Sequence, residues 1–127
     1  MKGISVCLLV LLLLSTKLYG QQGFPYCESF QGAIERNETI LGGHAKISDG
    51  VLRLTDATGY QNGFVYINIP FSSSFGVKAS FEYFSYGGTG ADGLAVFLFD
   101  GATNVFSPGG FGGSLGYAMN GKVGGLS

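Results

Sequence analysis

Glycine punctuates this chain from end to end, at the places where turns between strands belong. There are 23 glycines among 127 residues, against a usual share of about 7%. They follow no period and come with few prolines, so the chain is neither collagen-like nor a low-complexity linker. Beyond the N-terminal segment, no stretch holds a helical apolar period for more than two turns. What lies between the glycines is short, β-branched and aromatic, the pattern of strands joined by tight turns. An all-β sandwich or barrel is the expected architecture.

Individual strands follow from the same punctuation. His44-Ala45-Lys46-Ile47 and Val51-Leu52-Arg53-Leu54-Thr55 flank Ser48-Asp49-Gly50, and Asp-Gly between two β-prone runs predicts a hairpin. Gly63–Ile69 reads as a strand that Pro70 ends. Val77, Ala79, Phe81 and Tyr83 alternate with Lys78, Ser80, Glu82 and Phe84, which predicts a mostly half-buried strand. Asp100–Gly113 reads as a long Gly-rich loop holding Phe106 and Phe111, and Leu115–Met119 starts another strand. Cys27–Asn37 shows little pattern and reads as an edge segment and a loop.

The most specific stretch is Gly90-Ala91-Asp92-Gly93-Leu94-Ala95-Val96-Phe97-Leu98-Phe99. One carboxylate stands between small residues and leads into an uncharged apolar run. Such a run, bounded by turn residues, predicts a strand buried on both faces. Asp92 then sits at the mouth of a core strand, as a fixed acceptor suited to a hydroxyl-rich ligand; the alternative is that it only caps a turn.

Lys2 followed by the apolar run Ile4–Leu14, and Leu18-Tyr19-Gly20 ahead of Gln21, have the form of a secretion signal over residues 1–20. The apolar run falls short of the roughly 20 residues a membrane span needs. Cys7 leaves with the signal, and Cys27 is then the lone thiol of the mature chain, buried and inert or paired outside it. Charged residues make up 12% of the chain and the net charge is −1. With no basic patch, nucleic acid is not an expected partner. A secreted, weakly charged, aromatic β protein suits neutral ligands or other proteins.

These residues resemble a known family. Thr39-Ile40-Leu41-Gly42-Gly43-His44-Ala45, Val51-Leu52-Arg53-Leu54-Thr55 and Gly63-Phe64-Val65-Tyr66 are similar to the N-terminal strands of L-type (legume-type) lectins, which read Gly-Asp-Ala where this chain has Gly43-His44-Ala45. Ala91-Asp92-Gly93-Leu94-Ala95-Val96-Phe97-Leu98 matches the family's Ala-Asp-Gly-(Leu/Ile)-Ala-Phe-Phe-(Leu/Ile) strand, and Gly112-Gly113-Ser114-Leu115-Gly116 its Gly-Gly-x-Leu-Gly turn. The likeness spans residues 28–127 and is nearest in flavour to secreted bacterial members.

The resemblance implies a concanavalin A-like jelly-roll sandwich that binds carbohydrate. It implies that Asp92 accepts from two sugar hydroxyls, that the Ala91–Asp92 peptide is cis, and that a backbone N–H at Gly112 or Gly113 donates to the same sugar. An ionised acceptor and a backbone donor facing one diol form charge-assisted bonds, the stronger kind. The family also uses an asparagine and an aromatic from a loop that binds Ca²⁺ and a transition metal; that loop would follow Ser127, so residues 21–127 are expected to be the N-terminal part of the domain, incomplete at its C-terminus, and no residue here is assigned to metal. Phe106, Phe111 and Tyr117 are each either a stacking platform for sugar or a packing residue.

Two other readings compete. One is a structural or adhesive surface module without a sugar site. The other is a glycoside hydrolase domain, which needs two carboxyl groups about 5–9.5 Å apart. Asp92 and Asp100 along one straight strand stand roughly 26 Å apart, and no Glu-x-Asp-x-x-Glu cluster occurs, so the chain is not expected to be an enzyme. His44 is the lone histidine, without a Gly-x-Ser-x-Gly nucleophile or a His/Cys cluster for zinc. Asn37-Glu38-Thr39 has the form of a glycosylation acceptor.

Overall fold

A computed structural model describes residues 23–103, 106–119 and 122–123; the signal segment lies outside them. The described residues are all-β in character, with three two-stranded antiparallel ladders and two short 3-10 turns.

The longest ladder joins β1 (Thr39–Gly43) to β4 (Gly63–Ile67), in register from Thr39 opposite Ile67 to Gly43 opposite Gly63. Glycine is needed at two of its positions. Phe64 lies across the strand from Gly42, and a Cβ on Gly42 would stand 2.1 Å from the Phe64 ring. A Cβ on Gly63 would stand 1.9 Å from the carbonyl oxygen of Leu54, so only a bare backbone lets the neighbouring chain approach this closely. The ladder is extended at one end by Asn68 N–H donating to Glu38 C=O at 2.8 Å and at the other by His44 N–H donating to Asn62 C=O at 2.6 Å. His44 Nδ1 also meets the Asn62 backbone, at 2.9 Å from its oxygen, and so is a bonded surface residue.

β2 (Lys46–Ser48) and β3 (Val51–Arg53) form the hairpin expected from Ser48-Asp49-Gly50. Asp49 and Gly50 both carry positive φ, 55° and 73°, the pattern of a type I′ turn whose twist matches the strands it joins. Lys46 and Arg53, opposite each other in register, both bond Asp56, at 2.7 and 3.4 Å.

Residues 27–38, expected to carry little pattern, are organised by one carboxylate. Glu28 accepts from the N–H of Glu35 at 3.1 Å, the N–H of Arg36 at 3.2 Å and the hydroxyl of Thr39 at 2.9 Å. Tyr26 OH meets the same Thr39 hydroxyl at 2.5 Å, and the Arg36 guanidinium lies 4.4 Å over the Tyr26 ring. Thr39 is the one buried polar residue among those described.

The apolar stretch after Asp92 departs from expectation. It joins no ladder, and it is not buried on both faces. Ala95, Phe97 and Phe99 are half-buried while Leu94, Val96 and Leu98 are exposed. The alternation has period two, as pleated backbone requires, and it is invisible in the sequence because both faces carry apolar side chains. Residues 77–86 likewise join no ladder, and their described side chains are exposed rather than half-buried, Phe84 and Tyr86 at 77% and 74%. Lacking a described neighbour on either edge, this stretch has nothing to bury its alternating face against.

The inward face of 94–99 packs on β4 directly, Phe99 edge-on to Tyr66 at 5.9 Å, and through the Phe106 ring. Phe106 stands 4.9 Å from both Tyr66 and Phe99, 5.4 Å from Phe64 and 6.1 Å from Phe97, centroid to centroid. Aromatic pairs at such spacings contribute about 0.5–1.5 kcal/mol each beyond area burial. Phe106 is therefore a packing residue. Even here no hydrophobic side chain among the described residues is fully enclosed.

Candidate functional site

The aromatic cluster fixes where Asp92 stands. Phe97 and Phe99 anchor the far part of the 94–99 stretch, and Asp92 leads into it from the turn at 87–90. That turn rests on the loop between β3 and β4, where a Cβ on Gly87 would lie 3.1 Å from the Ala57 methyl. The Ala91–Asp92 peptide is cis.

A second segment is brought to the same place. Tyr117 packs edge-on against Phe97 at 5.0 Å. The backbone before it is closed by its own hydrogen bonds: Gly109 N–H donates to Gly116 C=O at 2.7 Å, Gly110 N–H to Ala118 C=O at 2.9 Å, and Gly116 N–H to Gly110 C=O at 2.9 Å. Within this frame Gly112–Ser114 form a 3-10 turn and Leu115 takes a left-handed conformation at φ 51°. The strand expected from Leu115 is shorter, β5 (Ala118–Met119) paired with β6 (Lys122–Val123), because the turn consumes the residues before it.

The two segments meet at Asp92. A Cβ on Gly112 would stand 3.8 Å from Asp92 Oδ2, and a Cβ on Gly93 would stand 3.5 Å from a methyl of Leu115. Leu115 thus lies over the backbone of Gly93 while Gly112 faces the carboxylate. A Cβ on Gly113 would meet open space.

Asp92 is exposed and makes no hydrogen bond or ion pair with any described residue. It therefore does not cap a turn. The N–H groups of Gly112 and Gly113 also donate to no described residue, because the turn's internal bonds start from later N–H groups. A carboxylate with both oxygens free, beside two free backbone donors on a hydrogen-bonded frame, can accept from and donate to a vicinal pair of hydroxyls at once.

The other candidates fall elsewhere. Asp100 closes its own turn, its Oδ1 accepting from Ala102 N–H at 2.9 Å and its carbonyl from Thr103 N–H at 3.0 Å. Phe106 and Tyr117 are engaged with other rings, whereas Phe111 is 64% exposed. Cys27 is exposed and free. Among the described residues, no group of three or more His, Cys, Asp or Glu side chains is arranged to hold a metal ion. No described helix is long and apolar enough to cross a membrane. A shallow depression lined by Gly23, Glu38, Asn68, Ile69 and Pro70 shares no residue with the site.

Comparison with family models, curated proteins and solved structures finds no match to this chain.

Proposed function

We propose that this chain is a secreted or cell-surface carbohydrate-binding domain, the N-terminal part of a concanavalin A-like jelly roll. Its partner is a glycan, and it performs no catalysis. One observation carries the reading: the carboxylate of Asp92, without a partner among the described residues, lies beside Gly112, where a Cβ would stand 3.8 Å from Oδ2. Asp92 accepts from two neighbouring hydroxyls of a sugar, and the N–H groups of Gly112 or Gly113 donate to one of the same oxygens. Ala91 precedes the carboxylate, and the resemblance gives it the part of cis-peptide support. Glycine suits the turn because a side chain there would hold the sugar off the backbone donors.

The test is binding of the full chain to a panel of immobilised glycans, beside the variant Asp92→Asn. Asparagine keeps the shape but replaces one acceptor oxygen by a donor and removes the charge. The expected result is binding by the parent and none by the variant, at equal thermal stability. Undiminished binding by Asp92→Asn would overturn the site.

A structural or adhesive module is the second reading, favoured by the exposed rings of Phe81, Tyr83, Phe84 and Tyr86 within one short segment. Exposed apolar side chains grouped in this way suit an interaction surface. It predicts no glycan binding and self-association or protein capture that Phe84→Ser and Tyr86→Ser abolish.

A further inference from the structure

We infer that Asn62-Gly63 is a self-modifying site, which forms a succinimide and converts to aspartate and isoaspartate at a rate set by the pairing of Asn62 with His44. Gly63 opens β4, and the fold demands glycine there, since a Cβ would stand 1.9 Å from the carbonyl oxygen of Leu54. Asn62 is therefore followed by a backbone nitrogen that no side chain shields. Asn62 brings the electrophile. Its carboxamide lies over the backbone of Gly43, where a Cβ would stand 2.6 Å from Asn62 Oδ1, and it makes no hydrogen bond with any described residue. The ladder does not take up the Gly63 N–H either. Asn62 and His44 are a hydrogen-bonded pair, such pairs alternate along an antiparallel ladder, and Gly63 opposite Gly43 is of the other kind.

Water is the only co-reactant. The Gly63 nitrogen attacks Asn62 Cγ and gives up its proton to solvent; the new N–Cγ bond closes a five-membered imide, and the Cγ–Nδ2 bond breaks to release ammonia. Water then adds to one of the two imide carbonyls. Hydrolysis at Cγ leaves aspartate, and hydrolysis at the backbone carbonyl leaves isoaspartate, whose main chain runs through Cγ. For the ring to close, the Asn62 carbonyl must turn about its bond to Cα, which carries the Gly63 nitrogen toward Cγ. That carbonyl is held by His44 N–H at 2.6 Å, and the His44 ring grips the same backbone, Nδ1 lying 2.9 Å from Asn62 O and 3.2 Å from Asn62 N. His44 is thus a positioning residue, and conversion waits on the opening of this end of the ladder. His44 is exposed, so water reaches the pair. Isoaspartate lengthens the main chain ahead of Gly63 and takes it out of step with Gly43, while either product adds a negative charge.

The full chain is aged at neutral pH, native and in guanidinium chloride, and position 62 is followed by peptide mass mapping that separates asparagine, aspartate and isoaspartate. Asn120-Gly121, the same dipeptide in the same chain, is read in the same digest as an internal clock. The native samples are aged well below their melting temperatures. The expected result is aspartate and isoaspartate at position 62 of the native chain, formed more slowly than in guanidinium chloride. His44→Ala removes the ring's grip and should raise the native rate about fivefold, the change in opening that loss of one hydrogen bond brings, with the rate in guanidinium chloride unchanged. His44→Asn, whose side-chain amide offers both a donor and an acceptor, should restore the slow rate. If position 62 stays asparagine in the native chain while it converts in guanidinium chloride, the native protein carries no such site. If it converts at one rate in the native, denatured and His44→Ala chains alike, the pairing with His44 does not set the rate and the inference is overturned.

Discussion

Asp92 and Gly112 lie far apart in the chain, yet a Cβ on Gly112 would come within 3.8 Å of Asp92 Oδ2. Two sets of aromatic contacts make that approach. The aromatic cluster holds the stretch after Asp92, and Tyr117 on Phe97 draws the glycine turn in beside it.

The adjacent glycines of this turn should respond differently to alanine. Gly112 has φ +65°, where a Cβ costs about 1–2 kcal/mol, and its methyl would stand in contact with the carboxylate, 3.8 Å from Asp92 Oδ2. Gly112→Ala should lower stability by about that amount and reduce glycan binding. Gly113→Ala, whose methyl meets open space, should leave the melting temperature unchanged. Chemical denaturation of both variants checks this; equal losses would mean that the turn is not held as described.

In the β1–β4 ladder, Gly42→Ala puts a methyl into the Phe64 ring, so the ring must swing away from the cluster it belongs to. Truncating the ring first removes that conflict. The double variant Gly42→Ala/Phe64→Ala should be less unstable than the sum of the singles by about 1 kcal/mol or more, a coupling that a double-mutant cycle reads directly. Additive losses would place the two residues out of contact. Gly63→Ala meets a backbone carbonyl instead of a movable ring, and no second substitution of a side chain should rescue it.

Phe106 joins β4 to the stretch that carries Asp92. Phe106→Ala should cost about 2–3 kcal/mol, somewhat below the range for a wholly buried ring, and should weaken glycan binding without touching the sugar. Phe106→Leu should recover most of both. A variant that loses stability but keeps full affinity would show that the cluster does not position the site.

Acid should loosen the N-terminal segment. Partial burial works to raise the Glu28 carboxyl, but hydrogen bonds from Glu35 N–H, the Thr39 hydroxyl and Arg36 N–H, with the Arg36 charge, outweigh it and hold the group below its ordinary value. Asp56 is lowered in the same sense, first by its hydrogen bond from Lys46, against a smaller opposing effect of burial. A carboxyl lowered in the folded state binds its proton more readily once unfolded. Its contribution is therefore complete above the unfolded value, 4.5 for Glu28, and is lost as pH falls through the lowered folded value. Melting temperature should fall with pH across that window, and Glu28→Gln should flatten the fall. An acid limb equally steep in Glu28→Gln would leave Glu28 without a share in it.

What was legible beforehand follows the range of the interactions. The Ser48-Asp49-Gly50 hairpin depends on two residues that accept positive φ, so local chemistry decides it. The strand Gly63–Ile67 shows in its own β-prone run. The Glu28 hub does not show, because its partners are backbone N–H groups and a hydroxyl that any sequence supplies. Nor does the exposed face of 94–99, since Leu94, Val96 and Leu98 are as apolar as Phe97 and Phe99, and the positions of Tyr66, Phe106 and Tyr117 decide which set is covered. At the candidate site, the motifs picked out Asp92 and the Gly112-Gly113 turn as residues, whereas their meeting required the aromatic cluster between them.

The Glu28 hub also sets an order of events for Asn37. Transfer of an oligosaccharide to Asn37-Glu38-Thr39 relies on the Thr39 hydroxyl, which in the folded chain is donated to Glu28, met by Tyr26 and held in a residue 6% exposed. In a host that carries the transferase, attachment and folding compete for the same oxygen, and occupancy at Asn37 records which came first.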